Sequence, residues 1–183
     1  MSMNIAITQR ELIINNFTYD CLSSDWYSFL SPHNVIPVPN SYLINFDNID
    51  FLILSGGDNT ANRKITEEYC INLALEKNIP ILGICHGAFV LNEYYNGITN
   101  IISSHKNTYH KIFMEGEEFN VNSYHELNIS KLSNDLNPIA TINNEIEGFK
   151  HNKLNIWGLV WHPERMSNPV LPTDLREVLW KTF

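Results

Sequence analysis

The chain is short of the residues that hold phosphate backbones: 12 Lys and Arg stand against 20 Asp and Glu in 183 residues, a formal net charge of -8. Polyanion binding rewards clustered cations, so this balance argues against a nucleic-acid partner. A small anionic substrate remains compatible, because a few local basic groups offset a distant negative field. Cysteine is scarce too. Cys21, Cys70 and Cys85 lie far apart with no C-x-x-C pair, which reads as reduced thiols in a cytoplasmic protein, not a disulfide framework. No run of about 18 apolar residues occurs, so no membrane span is expected. Met1-Ser2-Met3-Asn4 lacks the basic-then-apolar pattern of a secretory leader. Repeats, low-complexity stretches and linkers are also missing, so one domain over residues 1–183 is expected. What is present, 44% hydrophobic and 17% charged residues, suits a globular chain able to bury its own core.

In the first half, apolar runs alternate with helically spaced stretches. Asn4–Thr8, Val35–Val38, Phe51–Leu54 and Ile79–Ile84 read as strands, while Tyr19–Leu30 and Ile65–Leu75 carry helical spacing. Buried strands alternating with helices predict an α/β fold on a parallel sheet. The second half has short strand-like runs at Ile112–Phe113, Phe119–Asn122, Ile139–Ile142, Ile146–Phe149 and Ile156–Trp161, separated by Asn- and Gly-rich turns. These predict an antiparallel extension of the sheet, and Thr173–Trp180 closes as a helix after Pro172.

Three segments carry chemistry. Gly83-Ile84-Cys85-His86-Gly87 joins a buried strand to a helix; it is the thiol counterpart of the nucleophile elbow, with glycines where side chains would strike the neighbouring strand and helix. A thiol at a helix N-terminus is favoured as thiolate, and the His86 amide can face the oxygen of a tetrahedral intermediate. A second strand ends in Trp161-His162-Pro163-Glu164. Residues i and i+2 of extended chain project to one side, so Glu164 can orient the His162 imidazole as in a triad. A third strand ends in Ser55-Gly56-Gly57, where Gly57 can bring its amide to a substrate carbonyl beside that of His86. His105 and His110 are five apart without further ligands at metal-binding spacing, so neither a metal nor a cofactor is expected. Trp26, Tyr94, Tyr95, Trp157 and Trp161 read as core or sheet-face aromatics, and Asp58-Asn59 as a cap of the following helix.

In chain order, Ser55-Gly56-Gly57, Gly83-Ile84-Cys85-His86-Gly87 and Trp161-His162-Pro163-Glu164 resemble the class I glutamine amidotransferases, and Val121-Asn122-Ser123-Tyr124-His125 is similar to a V-N-S-x-H stretch of their γ-glutamyl hydrolase branch. The resemblance implies a flavodoxin-like doubly wound, mostly parallel sheet. It also implies a catalytic set of Cys85, His162 and Glu164, an oxyanion hole from Gly57 and His86, and a small-molecule γ-glutamyl substrate. Gly56, Phe89, Ser123, Tyr124 and His125 would then contact substrate. Ile7-Thr8-Gln9-Arg10, Cys21-Leu22 and Asp25-Trp26 look like the γ-glutamyl-CDP-amidate hydrolases that serve the phosphoramidate decoration of capsules. Arg10, Arg63 and Arg165 are then the cations for a phosphate. Two departures stand out: Phe89 takes the place of a usual Gln, which counts against free glutamine, and His86 stands where this branch often carries Arg. Assembly as a homodimer or with a synthetase is left open.

Overall fold

In each central strand of the first half, alternate apolar side chains face opposite layers, and each layer is closed by helices. The computed structural model describes residues 2–40, 45–101 and 108–180. Its elements are β1 (Asn4–Thr8), β2 (Arg10–Ile14), β3 (Phe17–Cys21), α1 (Asp25–Phe29), β4 (Asn34–Val38), β5 (Phe51–Leu54), α2 (Ala61–Glu76), β6 (Ile81–Ile84) and α3 (His86–Tyr94). There follow β7 (Ile98–Ile101), β8 (Thr108–Met114), β9 (Glu117–Ser123), β10 (Leu127–Lys131), β11 (Leu136–Ile142), β12 (Glu145–His151), β13 (Ile156–Leu159), a 3-10 turn at Pro163–Arg165, and α4 (Thr173–Leu179).

The main sheet runs β4-β1-β5-β6-β13-β12-β11-β8-β9. From β4 to β13 neighbours are parallel, and from β13 onward they are antiparallel. Numbered along the chain, the parallel strands stand in the flavodoxin-like order 2-1-3-4-5. Ile5, Ile7, Phe51, Ile53, Leu82, Ile84, Trp157 and Leu159 face a core closed by Trp26 of α1 and by Leu175 and Leu179 of α4. Ala6, Leu52, Leu54 and Ile81 face the other core, with Cys70, Ile71 and Ala74 of α2 and Ala88 and Leu91 of α3. The doubly wound α/β sheet with an antiparallel C-terminal extension is therefore as the sequence predicts.

The sequence misplaces one element. Tyr19–Leu30 is not a continuous helix: Tyr19–Cys21 belongs to β3, and only Asp25–Phe29 is helical. Asn15 and Asn16, at φ 51° and 65°, turn β2 into β3, the paired positive φ of a tight hairpin that Asn tolerates. The same device, Asn143-Asn144 at φ 47° and 74°, joins β11 to β12. Thr60, not Asp58 or Asn59, caps α2 by accepting the Arg63 amide. Trp26, Trp157 and Trp161 are buried core residues, and Tyr94 and Tyr95 pack edge to face. Among the described residues no helix is long and apolar enough to cross a membrane.

Candidate active site

The elbow forms at the carboxyl end of β6, in the middle of the parallel sheet. Cys85 takes φ 51° and ψ -105°, a conformation an L residue holds only where its surroundings over-determine it. The surroundings do so. A Cβ on Gly83 would lie 2.4 Å from the Gly87 carbonyl oxygen, and one on Gly87 would lie 2.2 Å from the Leu54 carbonyl oxygen of β5. The two glycines thus let α3 close onto its own strand and onto the neighbouring one, as the G-x-C-x-G spacing predicts. The Cys85 amide donates to the Leu159 carbonyl at 2.8 Å, tying the elbow to β13. As the first residue of α3, His86 has an amide with no intrahelical acceptor.

β13 runs beside β6 and delivers His162 to the elbow. The imidazole is buried beside Cys85 and holds Glu164 Oε1 at 2.6 Å through Nδ1. Burial pulls its pKa down. The hydrogen bonds with Cys85 and Glu164, and the charge of Glu164, outweigh that and raise it to about 9. At neutral pH the ring therefore carries a proton that it can deliver. Cys70 differs: burial, then the charge of Glu67, push its thiol up to about 12, so it is no nucleophile.

Asn122 is a positioning side chain that residue-type reasoning misses. Fully buried, it donates to the His162 carbonyl at 2.9 Å and accepts the His162 amide at 2.8 Å. Its signal in the sequence is the V-N-S-x-H stretch, where Ser, Tyr and His are the residues with evident chemistry.

The remaining candidates fall into three groups. Gly56 lies against the His162 ring, since a Cβ there would sit 2.4 Å from His162 Cε1; Tyr124 packs edge to face on the same ring at 5.5 Å. Arg10 and Arg165 line a small cleft with Trp26, Gly56 and Glu164, and the Arg165 guanidinium lies 5.0 Å over the Tyr124 ring. Phe89, Ser123 and His125 are all buried: Phe89 is 3% exposed in the α2–α3 core, 6.1 Å from His125, whose Nδ1 meets the Leu127 carbonyl at 2.7 Å.

Arg63 is not available to a phosphate. It is fully buried, pairs with Glu67 at 2.9 Å and hydrogen-bonds the Ser55 and Gly56 carbonyls. Gly57, at φ 138°, passes so close to it that a Cβ would lie 2.5 Å from Arg63 Nη1. His105 lies outside the described residues, and among those described no cluster of three or more His, Cys, Asp or Glu could hold a metal ion.

Comparison with known proteins bears on the family and the fold. Residues 26–182 match the family described as glutamine amidotransferase class-I. The chain is similar to a γ-glutamyl-CDP-amidate hydrolase of Campylobacter jejuni, 37% identical over 89% of this chain and 90% of that one. It is also similar to one of the chains of the glutamine-hydrolyzing GMP synthase of Methanococcus aeolicus, at 28% identity over 73% of this chain and 75% of that one. A crystal structure of a glutamine amidotransferase from Thermotoga maritima shares the fold with a TM-score of 0.70, covering 90% of this chain and 77% of that one at 15% identity. Matched over most of its length and built on the same sheet, the chain belongs to the class I glutamine amidotransferase family and is an amide-bond hydrolase.

Proposed function

We propose that the protein hydrolyses a γ-glutamyl amide through a γ-glutamyl thioester on Cys85, with His162 as proton carrier and Glu164 as its orienter. One observation carries this reading: the paired ends of β6 and β13 bring the strained elbow of Cys85 beside a buried imidazole that holds the Glu164 carboxylate at 2.6 Å. His162, its pKa raised to about 9, takes the proton of Cys85 as the sulfur attacks. The thiolate adds to the γ-carbonyl carbon, and the oxygen is received by the Gly57 and His86 amides. Such donors are worth about 10²–10³ in rate each. His162 then protonates the departing amine nitrogen as the C–N bond breaks, leaving the thioester and a neutral ring. That ring takes a proton from water, whose oxygen attacks the thioester, and glutamate leaves as the thiol is restored.

The amine-side group is assigned to a nucleotide-linked or similarly anionic amide of surface polysaccharide metabolism. Two features support this: the Campylobacter relative is a γ-glutamyl-CDP-amidate hydrolase, and Arg10 and Arg165 line the cleft beside Glu164, where guanidinium groups suit bidentate phosphate contacts. A second reading, a glutaminase that passes ammonia to a separate synthetase, is supported by the GMP synthase relative.

Released glutamate, measured across a panel of γ-glutamyl amides, tests the proposal. Turnover is expected with an anionic amine-side group and none in Cys85→Ala. Undiminished turnover in that variant would remove the triad assignment. Weak activity alone, with stimulation in a stoichiometric synthetase complex, would favour the second reading.

A further inference from the structure

α2 carries buried charge that the mechanism above does not use. Arg63 and Glu67, one helical turn apart, are both fully buried, and Arg63 Nε meets Glu67 Oε1 at 2.9 Å. The rest of the guanidinium turns to the end of β5: Nη1 donates to the Gly56 carbonyl at 3.3 Å, and Nη2 to the Ser55 carbonyl and, at 3.1 Å, to the Ser55 hydroxyl. The carboxylate reaches further. Its Oε2 holds His86 Nε2 at 2.9 Å, and its Oε1 accepts the Thr8 hydroxyl at 3.0 Å. Thr8 closes the circuit by accepting the Ser55 amide at 3.0 Å on its hydroxyl and the Ser55 hydroxyl at 2.6 Å on its carbonyl.

Stability alone is a poor reason for this network. Desolvating an ion costs several kcal/mol, and well-packed apolar residues often replace buried pairs without loss. Burial pushes the Glu67 pKa up, yet the His86 hydrogen bond and the Arg63 charge outweigh it and hold the carboxyl below its ordinary value, so it stays ionised in the core. What the network joins is more telling. One arm ends on Ser55 and Gly56, next to the Gly57 amide, and the other ends on His86, whose own amide opens α3.

We propose that Glu67 is a positioning residue for the oxyanion hole, fixing the β5 end through Arg63 and the elbow through His86 so that the two amides keep their separation while charge develops between them. This rests on the reading that the Gly57 and His86 amides receive the oxyanion. Two imidazoles flank the elbow with different tasks: His162 moves the proton, and His86 carries only a tether. The tether's worth therefore shows where oxygen bears charge and not where the thiolate reacts without one.

Three readouts on Glu67→Gln and His86→Ala separate this role from a merely structural one. The kcat of each folded variant with its γ-glutamyl substrate is expected to fall about 10- to 100-fold with KM within about twofold, the pattern of lost oxyanion stabilisation. Inhibition by glutamate γ-semialdehyde, whose carbonyl carbon takes the Cys85 thiolate to leave a tetrahedral adduct with its negative oxygen in the hole, is expected to weaken by a similar factor. Alkylation of Cys85 by iodoacetamide, a displacement that makes no oxyanion, is expected to keep its wild-type rate. The double variant is expected to lose no more than Glu67→Gln alone, because both changes cut one tether. His86→Ala leaves the Arg63–Glu67 pair intact, so it decides the matter should Glu67→Gln fail to fold. Wild-type kcat and aldehyde inhibition in a folded variant would overturn the proposal, as would loss of alkylation in step with turnover. Failure of the triad reading looks different: there Cys85→Ala would keep its turnover.

Discussion

Replacing Gly56 with alanine isolates the imidazole's position from its chemistry. Gly56 has no positive φ that alanine could not adopt, so its backbone tolerates the change. The obstacle is the His162 ring: the new Cβ would lie 2.4 Å from Cε1 and 3.2 Å from Nε2. Two sides are free to yield in principle, and the structure decides between them. The Ser55 and Gly56 carbonyls are held by the buried Arg63, and the Ser55 amide by Thr8 at 3.0 Å. The ring is a side chain held by its Glu164 hydrogen bond and by Tyr124 packing on it, so the ring moves. Restoring an ordinary contact of 3.4 Å from 2.4 Å takes a displacement of about 1 Å, a misplacement that costs about 10²-fold in rate, or about 2.7 kcal/mol of transition-state stabilisation. The assay is kcat/KM from released glutamate, with the thermal midpoint read alongside. A loss near that size is expected in a protein that folds normally. Wild-type kcat/KM in Gly56→Ala would refute the claim that this glycine exists to seat the imidazole.

The same geometry sets further expectations. The proton-bearing form of His162 is lost as pH rises through about 9, so kcat/KM is expected to fall over that range. In Glu164→Gln, which removes a negative charge that raises this pKa, the falling limb should move to lower pH. An unmoved limb would assign it to another group. Because the folded pKa is raised from 6.5 to about 9, the stability this pairing contributes is complete below pH 6.5 and fades as pH rises toward 9; denaturation midpoints across that window check the sign. In Arg10→Ala, loss of a charge-assisted contact to an anionic amine-side group should raise KM about tenfold with kcat little changed, and an unchanged KM would place that group elsewhere. Gly87→Ala puts a Cβ 2.2 Å from the Leu54 carbonyl oxygen, backbone against backbone, and is expected to cost about 1–3 kcal/mol or more in denaturant unfolding. A wild-type midpoint there would show that α3 has room to spare.

Much of this was legible in the sequence because the features were local. Phe51–Leu54 and Ile79–Ile84 announce buried strands, observed at Phe51–Leu54 and Ile81–Ile84, and glycines on both sides of Cys85 announce an elbow, since the clashes they avoid arise within a few residues and one neighbouring strand. His162 and Glu164 do pair as their closeness in sequence suggests, but not through extended spacing: β13 ends at Leu159, and a 3-10 turn at Pro163–Arg165 brings Glu164 to the ring. The β2–β3 hairpin was hidden by a competing period: Cys21, Leu22 and Trp26 are spaced helically, whereas Asn15-Asn16, which turn the chain, carry none of the glycine that usually marks such a turn. Tertiary structure alone decided where charge goes. Arg63 reads in sequence like any surface cation on a helix, but packing of α2 against β5 turns it inward onto Ser55, Gly56 and Glu67 and leaves the cleft to Arg10 and Arg165. Likewise Glu67 and Asn122 have no chemistry of their own that a sequence could flag. Their roles come from what lies across a gap of tens of residues, His86 and His162, and only the folded sheet closes those gaps.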